Sequence, residues 1–359
     1  GVEQKYTAFD LLKNTLKANP DGSVIGFHDN SSSIEGYEVN TLVPYFPGES
    51  SSFFLNRVLW DITFTAETHN FPTGIAPYPG AATGTGGRLR DQIATGKGSN
   101  VIAGTTGYSV STINIPDYKM PGENSEFHYP VNMAGGLQIL VDASNAASDY
   151  GNEFGEPVVQ GYCRNFDLRI SDGERWGYVK PILFSGGIGQ MRHVHAEKGH
   201  AETDLIIVQV GGPAYRIGFG GGAASSMHQG DNDAELDFNA VQRGNAEMEN
   251  KVYRVIRACN EMGNETPIVS IHDQGAGGPA NVLKELVEES GGKVDIRKIN
   301  SGDPTMSVLE LWVCEYQERC GFLISSERID EFKEICEREK APCEILGEVT
   351  GDGRFVVED

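Results

Sequence analysis

The residues best suited to chemistry stand in four short segments. In Glu67-Thr68-His69-Asn70-Phe71-Pro72 a carboxylate, a hydroxyl, an imidazole and an amide follow one another. Such a group can hold a hard cation, move a proton and bind a polar substrate, although two surface residues satisfied by their neighbours is the plainer reading. The stretch Gly80-Ala81-Ala82-Thr83-Gly84-Thr85-Gly86-Gly87-Arg88-Leu89-Arg90-Asp91 packs four glycines and two threonines into its first eight positions. Backbone without side chains can approach phosphate oxygens, hydroxyls add bonds and the arginines add positive charge, so the stretch reads as a phosphate-cradling loop. It matches neither the Walker pattern nor the dinucleotide fingerprint, and a surface turn is the alternative. Asp91 beside Arg90 is placed either to hold Mg²⁺ or to pair with the arginine. Gly218-Phe219-Gly220-Gly221-Gly222-Ala223-Ala224-Ser225-Ser226 repeats the small-residue theme more weakly. In Ser270-Ile271-His272-Asp273-Gln274-Gly275-Ala276-Gly277-Gly278 a carboxylate stands where a strand should end. Asp273 there is either a hard-metal ligand or the cap of a following helix.

The elements that must position these segments alternate in type. Thr7 and Asp10 form a capping-box pattern, and Phe9, Leu12 and Leu16 recur at helical spacing up to Asn19-Pro20-Asp21-Gly22. From Val58 the period becomes two, with Val58, Trp60, Ile62 and Phe64 on one face and Asp61, Thr63 and Thr65 on the other. That strand delivers Glu67 to His69 at its C-terminal end, where parallel-rich sheets place ligand sites. Val101 to Thr105 and Leu137 to Ala143 read as further strands. The polar stretch Lys198 to Thr203 precedes an apolar strand at Asp204 to Val210 and separates an α/β domain, 1–200, from a second, 201–359. The second domain reads as β/α throughout. It contains a helix with Met248, Val252, Val255, Ile256 and Cys259 on one face that stops at Gly263, then a strand Pro267 to Ile271. A helix through Val282, Leu283, Leu286 and Val287 follows, and a late one through Ile329, Phe332, Ile335 and Cys336.

The 359 residues are 39% apolar and 22% charged, a globular composition long enough for about two domains. With 51 acidic against 29 basic residues the net charge is −22. Such a field repels polyanions and leaves no basic stripe for a phosphate backbone, which excludes nucleic acid as a partner. Small anionic substrates stay open, because a bound Mg²⁺ or a few arginines can invert the local potential. Six cysteines are scattered without a Cys-x-x-Cys pair, which fits reduced thiols and a cytoplasmic location. No apolar run approaches the length needed to cross a bilayer. The chain starts at Gly1 and its first methionine is Met120, so it is expected to be a processed or partial chain.

Taken together, the segments resemble the phosphoribosylformylglycinamidine synthase family, in particular its large eukaryote-like form. The likeness rests on Ala66 to Gly74, Gly80 to Asp91, Ala147-Ser148-Asp149-Tyr150-Gly151-Asn152-Glu153-Phe154-Gly155-Glu156-Pro157, Lys180 to Gly189, Val241-Gln242-Arg243-Gly244-Asn245-Ala246-Glu247-Met248-Glu249 and His272 to Leu286, in the family's order. The resemblance implies an α/β (α+β) fold like that of aminoimidazole ribonucleotide synthetase. An N-terminal domain forms half of a β-barrel and a C-terminal α/β domain packs beside it. It implies that ATP phosphorylates the amide oxygen of formylglycinamide ribonucleotide and that ammonia from glutamine displaces the phosphate, giving the amidine. Carried over by motif, Glu67, Asp91 and Asp273 would be Mg²⁺ ligands and His69 the catalytic histidine. Gly80, Ala81, Ala82, Thr83, Gly84, Thr85, Gly86, Gly87 and Arg88 would bind ATP. Thr68, Asn70, Arg90, Gln242, Glu315, Tyr316 and Gln317 would bind the substrate.

The resemblance further implies that this is the first ATP-binding half of a longer synthetase, with a second half and a glutaminase domain as partners. The family's upstream Ser-Glu-His-Cys motif is absent, Thr65 stands where smaller members carry a lysine, and no cysteine lies in a Gly-x-Cys-x-Gly turn. Glutamine hydrolysis is therefore not expected on this chain. The competing readings are a complete homodimeric synthetase of the same superfamily and a catalytically silent nucleotide-binding half.

Overall fold

The computed structural model describes residues 5–123, 127–170, 173–228, 230–316 and 318–359. The N-terminal part contains β1 (Ser23–Ile25), β2 (Ser32–Pro44), β3 (Phe53–Thr68), β4 (Asn100–Val110), β5 (Val158–Asn165) and β8 (Ile182–Arg192), with β6 (Asp167–Arg169) and β7 (Arg175–Gly177) as a separate hairpin. Its helices are α1 (Ala8–Ala18), α2 (Asn70–Ile75), α3 (Pro77–Ile93) and α4 (Gly136–Phe154). The C-terminal part contains β9 (Leu205–Gly211), β10 (Ile268–Asp273), β11 (Gly292–Asp295), β12 (Arg319–Ser325), β13 (Cys343–Val349) and β14 (Phe355–Glu358). Its helices are α5 (Gly221–Ser226), α6 (Ala234–Ala240), α7 (Ala246–Glu261), α8 (Gly278–Leu286), α9 (Val308–Val313) and α10 (Ile329–Glu339).

Two six-stranded sheets organise the chain, in the orders β1-β2-β3-β8-β4-β5 and β10-β12-β9-β13-β11-β14. Only β4–β5 and β11–β14 pair in parallel, so both sheets are predominantly antiparallel. The sequence expectation of parallel-rich sheets is thereby corrected. The site residues do leave the end of β3, but from an antiparallel strand.

In the second sheet, alternation divides the strands between two cores. Val208, Val210, Phe322 and Ile324 face α7 and α10, packing with Val252, Val255, Ile256, Cys259, Phe332 and Ile335. Ile207 and Leu323 face the other way, against Val282, Leu283 and Leu286 of α8 and Leu311 of α9. Ile93 and Ala94, at the end of α3, enter the first of these cores and tie the two parts together.

The first sheet is covered only in part. Helices α3 and α4 pack on the side that carries Leu183 and Tyr108, and there the strand β3 buries Asp61, Thr63 and Thr65. Gln92 of α3 donates to Thr63 Oγ1 at 3.1 Å, and Asp61 Oδ2 meets His193 Nδ1 at 2.8 Å. The opposite side leaves Tyr37, Phe64 and Ile188 exposed but buries Val43 and Val58, while Leu42, Phe53 and Leu55 stand exposed on the Asp61 side at the far end of β2 and β3, Leu55 by 67%. β2 alone shifts its alternation at a bulge beside Gly36, where a Cβ would stand 1.9 Å from the Trp60 carbonyl.

The capping box at Thr7 and the helices at Met248, Val282 and Ile329 form where the periodicity places them, and Gly263 follows α7 with φ of +63°. Leu137 to Ala143, expected as a strand, instead lies in α4. Its apolar run continues as Ile139, Ala143, Ala146, Ala147 and Tyr150, a buried stripe at helical spacing. Among the described residues no helix is long and apolar enough to cross a membrane. All six cysteines are free thiols.

Candidate functional site

A cleft of about 460 Å³ opens between the two parts. Its wall takes Glu67 to Pro72 from the end of β3 onward, one face of α3, Lys180, residues of α5, Gln242, Asp273, Gly275, Ala276 and Glu315. The face of α3 consists of Thr83, Gly84, Gly87, Arg88, Arg90 and Asp91.

This corrects the reading of Gly80 to Asp91 as a loop: the segment is the body of α3, started by Pro77 in its first turn. Helical N–H groups donate to carbonyls four residues back, so this backbone cannot cradle a phosphate in the way the glycine count implied. The glycines permit close packing. A Cβ on Gly84 would lie 2.5 Å from Leu183 and 2.9 Å from the His69 side chain, and one on Gly80 would lie 2.4 Å from the Pro72 backbone. Gly80, Ala81, Ala82, Thr85 and Gly86 do not line the cleft; Ala81 is core, and Gly86 lies against the Tyr150 hydroxyl.

His69, the residue before α2, is gripped at both ring nitrogens. Nδ1 lies 2.6 Å from the Gly80 carbonyl oxygen and Nε2 lies 3.0 Å from Gln242 Oε1. Gln242 Nε2 in turn donates to the Glu315 carboxylate, whose other oxygen accepts the Gly277 N–H at 3.0 Å. Burial, the larger influence, and the nearby Arg90 hold the imidazole below its ordinary pKa, while the two oxygen acceptors pull the other way. The ring is therefore neutral near pH 7, with Nδ1–H on the closer acceptor, Gly80. Nε2 then carries a lone pair facing the Gln242 oxygen, and that contact becomes a hydrogen bond only when the ring takes up a proton. Burial likewise raises the Glu315 carboxyl.

Beside this chain of side chains stands an acidic group. Asp91 is held well above the usual carboxylate range, first by burial and then by the charges of Asp273 and Glu67. Burial raises Asp273 as well, opposed by Arg90 and Lys198, and the raised Glu67 shows the same influences of burial and Asp273. Asp273 is fixed by Asn30 Nδ2 at 2.6 Å and lies 3.9 Å from Arg90 Nε. It does not cap the following helix, whose N-cap is Gly277. Among the described residues no three His, Cys, Asp or Glu side chains form a closed metal cage. The donor chemistry nevertheless fits a hard dication. The repulsion between Asp91 and Asp273 is what such an ion would relieve, and carboxylate oxygens are its preferred ligands.

Both arginines of the α3 face are already committed. Arg88 is fully buried and forms a double contact with Glu156. Arg90, equally buried, donates to Glu318 Oε1 at 3.0 Å; that carboxylate also receives the Tyr150 hydroxyl at 3.0 Å and the Asn245 N–H at 2.9 Å. The Tyr150 hydroxyl also meets Glu249, its one proton serving one of the two carboxyls at a time, and this completes a buried polar network under the site.

Residues 202–359 match the family described as AIR synthase related protein, C-terminal domain. Over 359 residues, all of this chain, the sequence is 55% identical to the probable phosphoribosylformylglycinamidine synthase, chloroplastic/mitochondrial, of Arabidopsis thaliana, of which it covers 26%. Along its whole length the chain is similar to phosphoribosylformylglycinamidine synthases. It spans about a quarter of the length of that relative. In fold it resembles T. maritima PurL complexed with FGAR, with a TM-score of 0.65 at 26% identity, over 83% of this chain and 43% of that one. The same protein complexed with ATP aligns with a TM-score of 0.61 at 22% identity, over 83% and 42% of the two chains.

Set against the family motifs, the cleft brings Glu67, Thr68, His69, Asn70, Arg90, Asp91, Gln242, Asp273 and Glu315 together. It does not include Tyr316, whose ring is in the core with its hydroxyl on the Leu311 carbonyl at 2.9 Å. The expectation of a side-chain contact from Tyr316 to substrate is corrected accordingly. Gln317 lies outside the described residues. The Asn70 amide oxygen accepts the Leu183 N–H at 3.1 Å and so also fixes the strand behind it. Sequence reasoning missed Lys180, Asn30, Glu318 and Glu285. Glu285 was findable, since it follows Asn281 by one helical turn on the face of α8 that lines the cleft.

Proposed function

We propose that this chain supplies an ATP- and Mg²⁺-binding site of a phosphoribosylformylglycinamidine synthase, which converts formylglycinamide ribonucleotide to its amidine with ammonia from glutamine. The observation that carries the reading is the meeting, in one cleft, of the acidic group Glu67, Asp91 and Asp273 with the relay His69–Gln242–Glu315. The FGAR and ATP complexes of the T. maritima relative support the two ligands.

Each side chain then has a task. Phosphoryl transfer to the amide oxygen passes through a loose transition state, which asks for positioning and charge neutralisation more than for a protein nucleophile. Asp91, Asp273 and Glu67 would hold Mg²⁺, which supplies that neutralisation at the phosphate oxygens. His69 would take the proton that ammonia loses as the new C–N bond forms, its charged ring then donating to both Gly80 and Gln242. Gln242 sets the ring plane and Glu315 sets Gln242, so the base is oriented before substrate arrives. Arg90 acts from behind, holding α3 and Asp273 in register through Glu318.

Hydrolysis of glutamine takes place elsewhere in the full enzyme, on a separate glutaminase domain. The second synthetase half covers the exposed apolar surface of the first sheet; in its absence two copies of this chain associate through that surface. Free thiols throughout suit any reducing compartment, the cytosol included.

The test is to titrate the chain with a non-hydrolysable ATP analogue and Mg²⁺, then with the ribonucleotide, and finally to assay amidine and ADP with ammonium salt. Binding of both ligands without turnover is the expected result. Turnover within tenfold of the about 10 s⁻¹ typical of enzymes would instead establish a self-sufficient homodimeric synthetase. Failure to bind either ligand would leave only a structural half.

A further inference from the structure

The cleft wall contains three cations, and their partners differ. Arg88 is neutralised by Glu156, and Arg90 by Glu318 with Asp273 nearby. Lys180 forms no ion pair: its Nζ donates to the Ser225 carbonyl oxygen at 2.6 Å, at the end of α5, and makes no other hydrogen bond among the described residues. An ammonium has three donors, so two remain for a ligand. Glu315, whose carboxylate lies against Gly221 of α5, has its oxygens occupied by Gln242 and Gly277. The small residues Gly221 and Gly222 and the Ser225 side chain line the cleft beside Lys180.

The cleft is thus divided by charge. Glu67, Asp91 and Asp273 make one acidic group, and no ion pair joins it to Lys180 among the described residues. A dianionic phosphate monoester is repelled by the first group and is attracted to the only wall cation, among the described residues, that lacks a carboxylate partner. We infer that Lys180, with the Gly221–Ser225 segment, is the anchor for the phosphate monoester of the ribonucleotide substrate. The nucleotide triphosphate then occupies the acidic side of the cleft with its metal. This orientation leaves the substrate's amide end between the two, beside His69. The inference rests on the function proposed above and adds to it which side of the cleft each phosphate takes.

The experiment is calorimetric titration of the chain and its Lys180→Met and Lys180→Arg variants with three probes: the ribonucleotide, its dephosphorylated riboside, and the Mg²⁺ complex of a non-hydrolysable ATP analogue. Lys180→Met should weaken the ribonucleotide at least tenfold, while riboside and ATP analogue stay within about twofold of wild type. Lys180→Arg should recover part of the loss. A selective loss that arginine relieves marks a charge contact, since a merely packed lysine would affect riboside and ribonucleotide alike. Equal losses for riboside and ribonucleotide, no loss at all, or a loss confined to the ATP analogue would each overturn the assignment. A wild-type chain that binds the ATP analogue but not the ribonucleotide would overturn it too. If wild type binds neither, the functional reading itself falls.

Discussion

The two sheets of this chain solve the same problem to different degrees. The second is covered on both faces, with Val208, Phe322 and Phe332 in one core and Ile207, Leu323 and Leu283 in the other. The first is covered in part: it buries Asp61 and Thr63 beneath α3 and leaves Leu42, Leu55 and Phe64 exposed to solvent. Monomeric proteins seldom leave so many apolar side chains exposed on one sheet. The difference teaches that the second sheet builds a core on each face while the first leaves apolar surface uncovered. The functional cleft lies where they meet, mounted on α3, whose end enters the second sheet's core.

The comparison breaks most visibly where packing is tightest. Phe322→Ala removes a fully buried ring from the second sheet and should cost about 3 to 5 kcal/mol in a denaturant titration. Arg88→Met tests the base of the cleft. It leaves Glu156 buried without its partner, a loss of about 3 to 5 kcal/mol that Ala substitutions on the exposed surface would not approach.

Acid probes the seam between the two parts. His195, buried, accepts no charge readily: its pKa is pushed down to about 4 from 6.5, chiefly by burial, while Nε2 donates to the Gly263 carbonyl. Between those values the unfolded chain binds a proton that the folded chain refuses, so this contribution to stability is lost as pH falls from about 6.5 to 4. His195→Gln keeps a donor for Gly263 without a titrating ring. The stability gap between wild type and this variant should therefore shift by about 3 kcal/mol over that range, wild type losing more on acidification. A gap independent of pH would show that the ring ionises freely in the folded state.

On the uncovered surface of the first sheet the expected cost is small. Leu55→Ser, at a side chain 67% exposed, should change stability by no more than about 0.5 kcal/mol. Its effect belongs in sedimentation, as weaker self-association than wild type at high protein concentration. Unchanged association would separate that surface from any interface.

How far the sequence foretold all this depends on the distance over which each feature is decided. The strand ending at Glu67-Thr68-His69 and the α7 stripe at Val252, Val255, Ile256 and Cys259 follow from local periodicity, and both were legible. Helix α3 was not. Four glycines between Gly80 and Gly87 argue for a loop on propensity, because glycine weakens an isolated helix by about 1 kcal/mol per position. Tertiary packing against Pro72, His69 and Tyr150 requires three of them, Gly80, Gly84 and Gly86, and overrides that preference. Leu137 to Ala143 failed for a related reason: a short apolar run does not distinguish strand from buried helix until its continuation through Tyr150 is counted. In the site, Glu67, Asp91 and Asp273 could be named from their segments. Their mutual effect on ionisation could not, nor could the pairing of Arg90 with Glu318 or of Asn30 with Asp273, which join residues 228 and 243 positions apart.

The central claim is that the acidic group beside His69 is a metal–nucleotide site, and Asp91→Asn tests it most directly. Calorimetry of wild type and variant with a non-hydrolysable ATP analogue, each with and without Mg²⁺, gives the answer. The account predicts that wild-type binding depends on Mg²⁺ and that the variant loses about 1 to 3 kcal/mol of affinity. It also predicts that the variant unfolds at higher denaturant, because removing one of two mutually repelling buried acids relieves the native state. Equal nucleotide affinity in wild type and variant, with or without Mg²⁺, would contradict it.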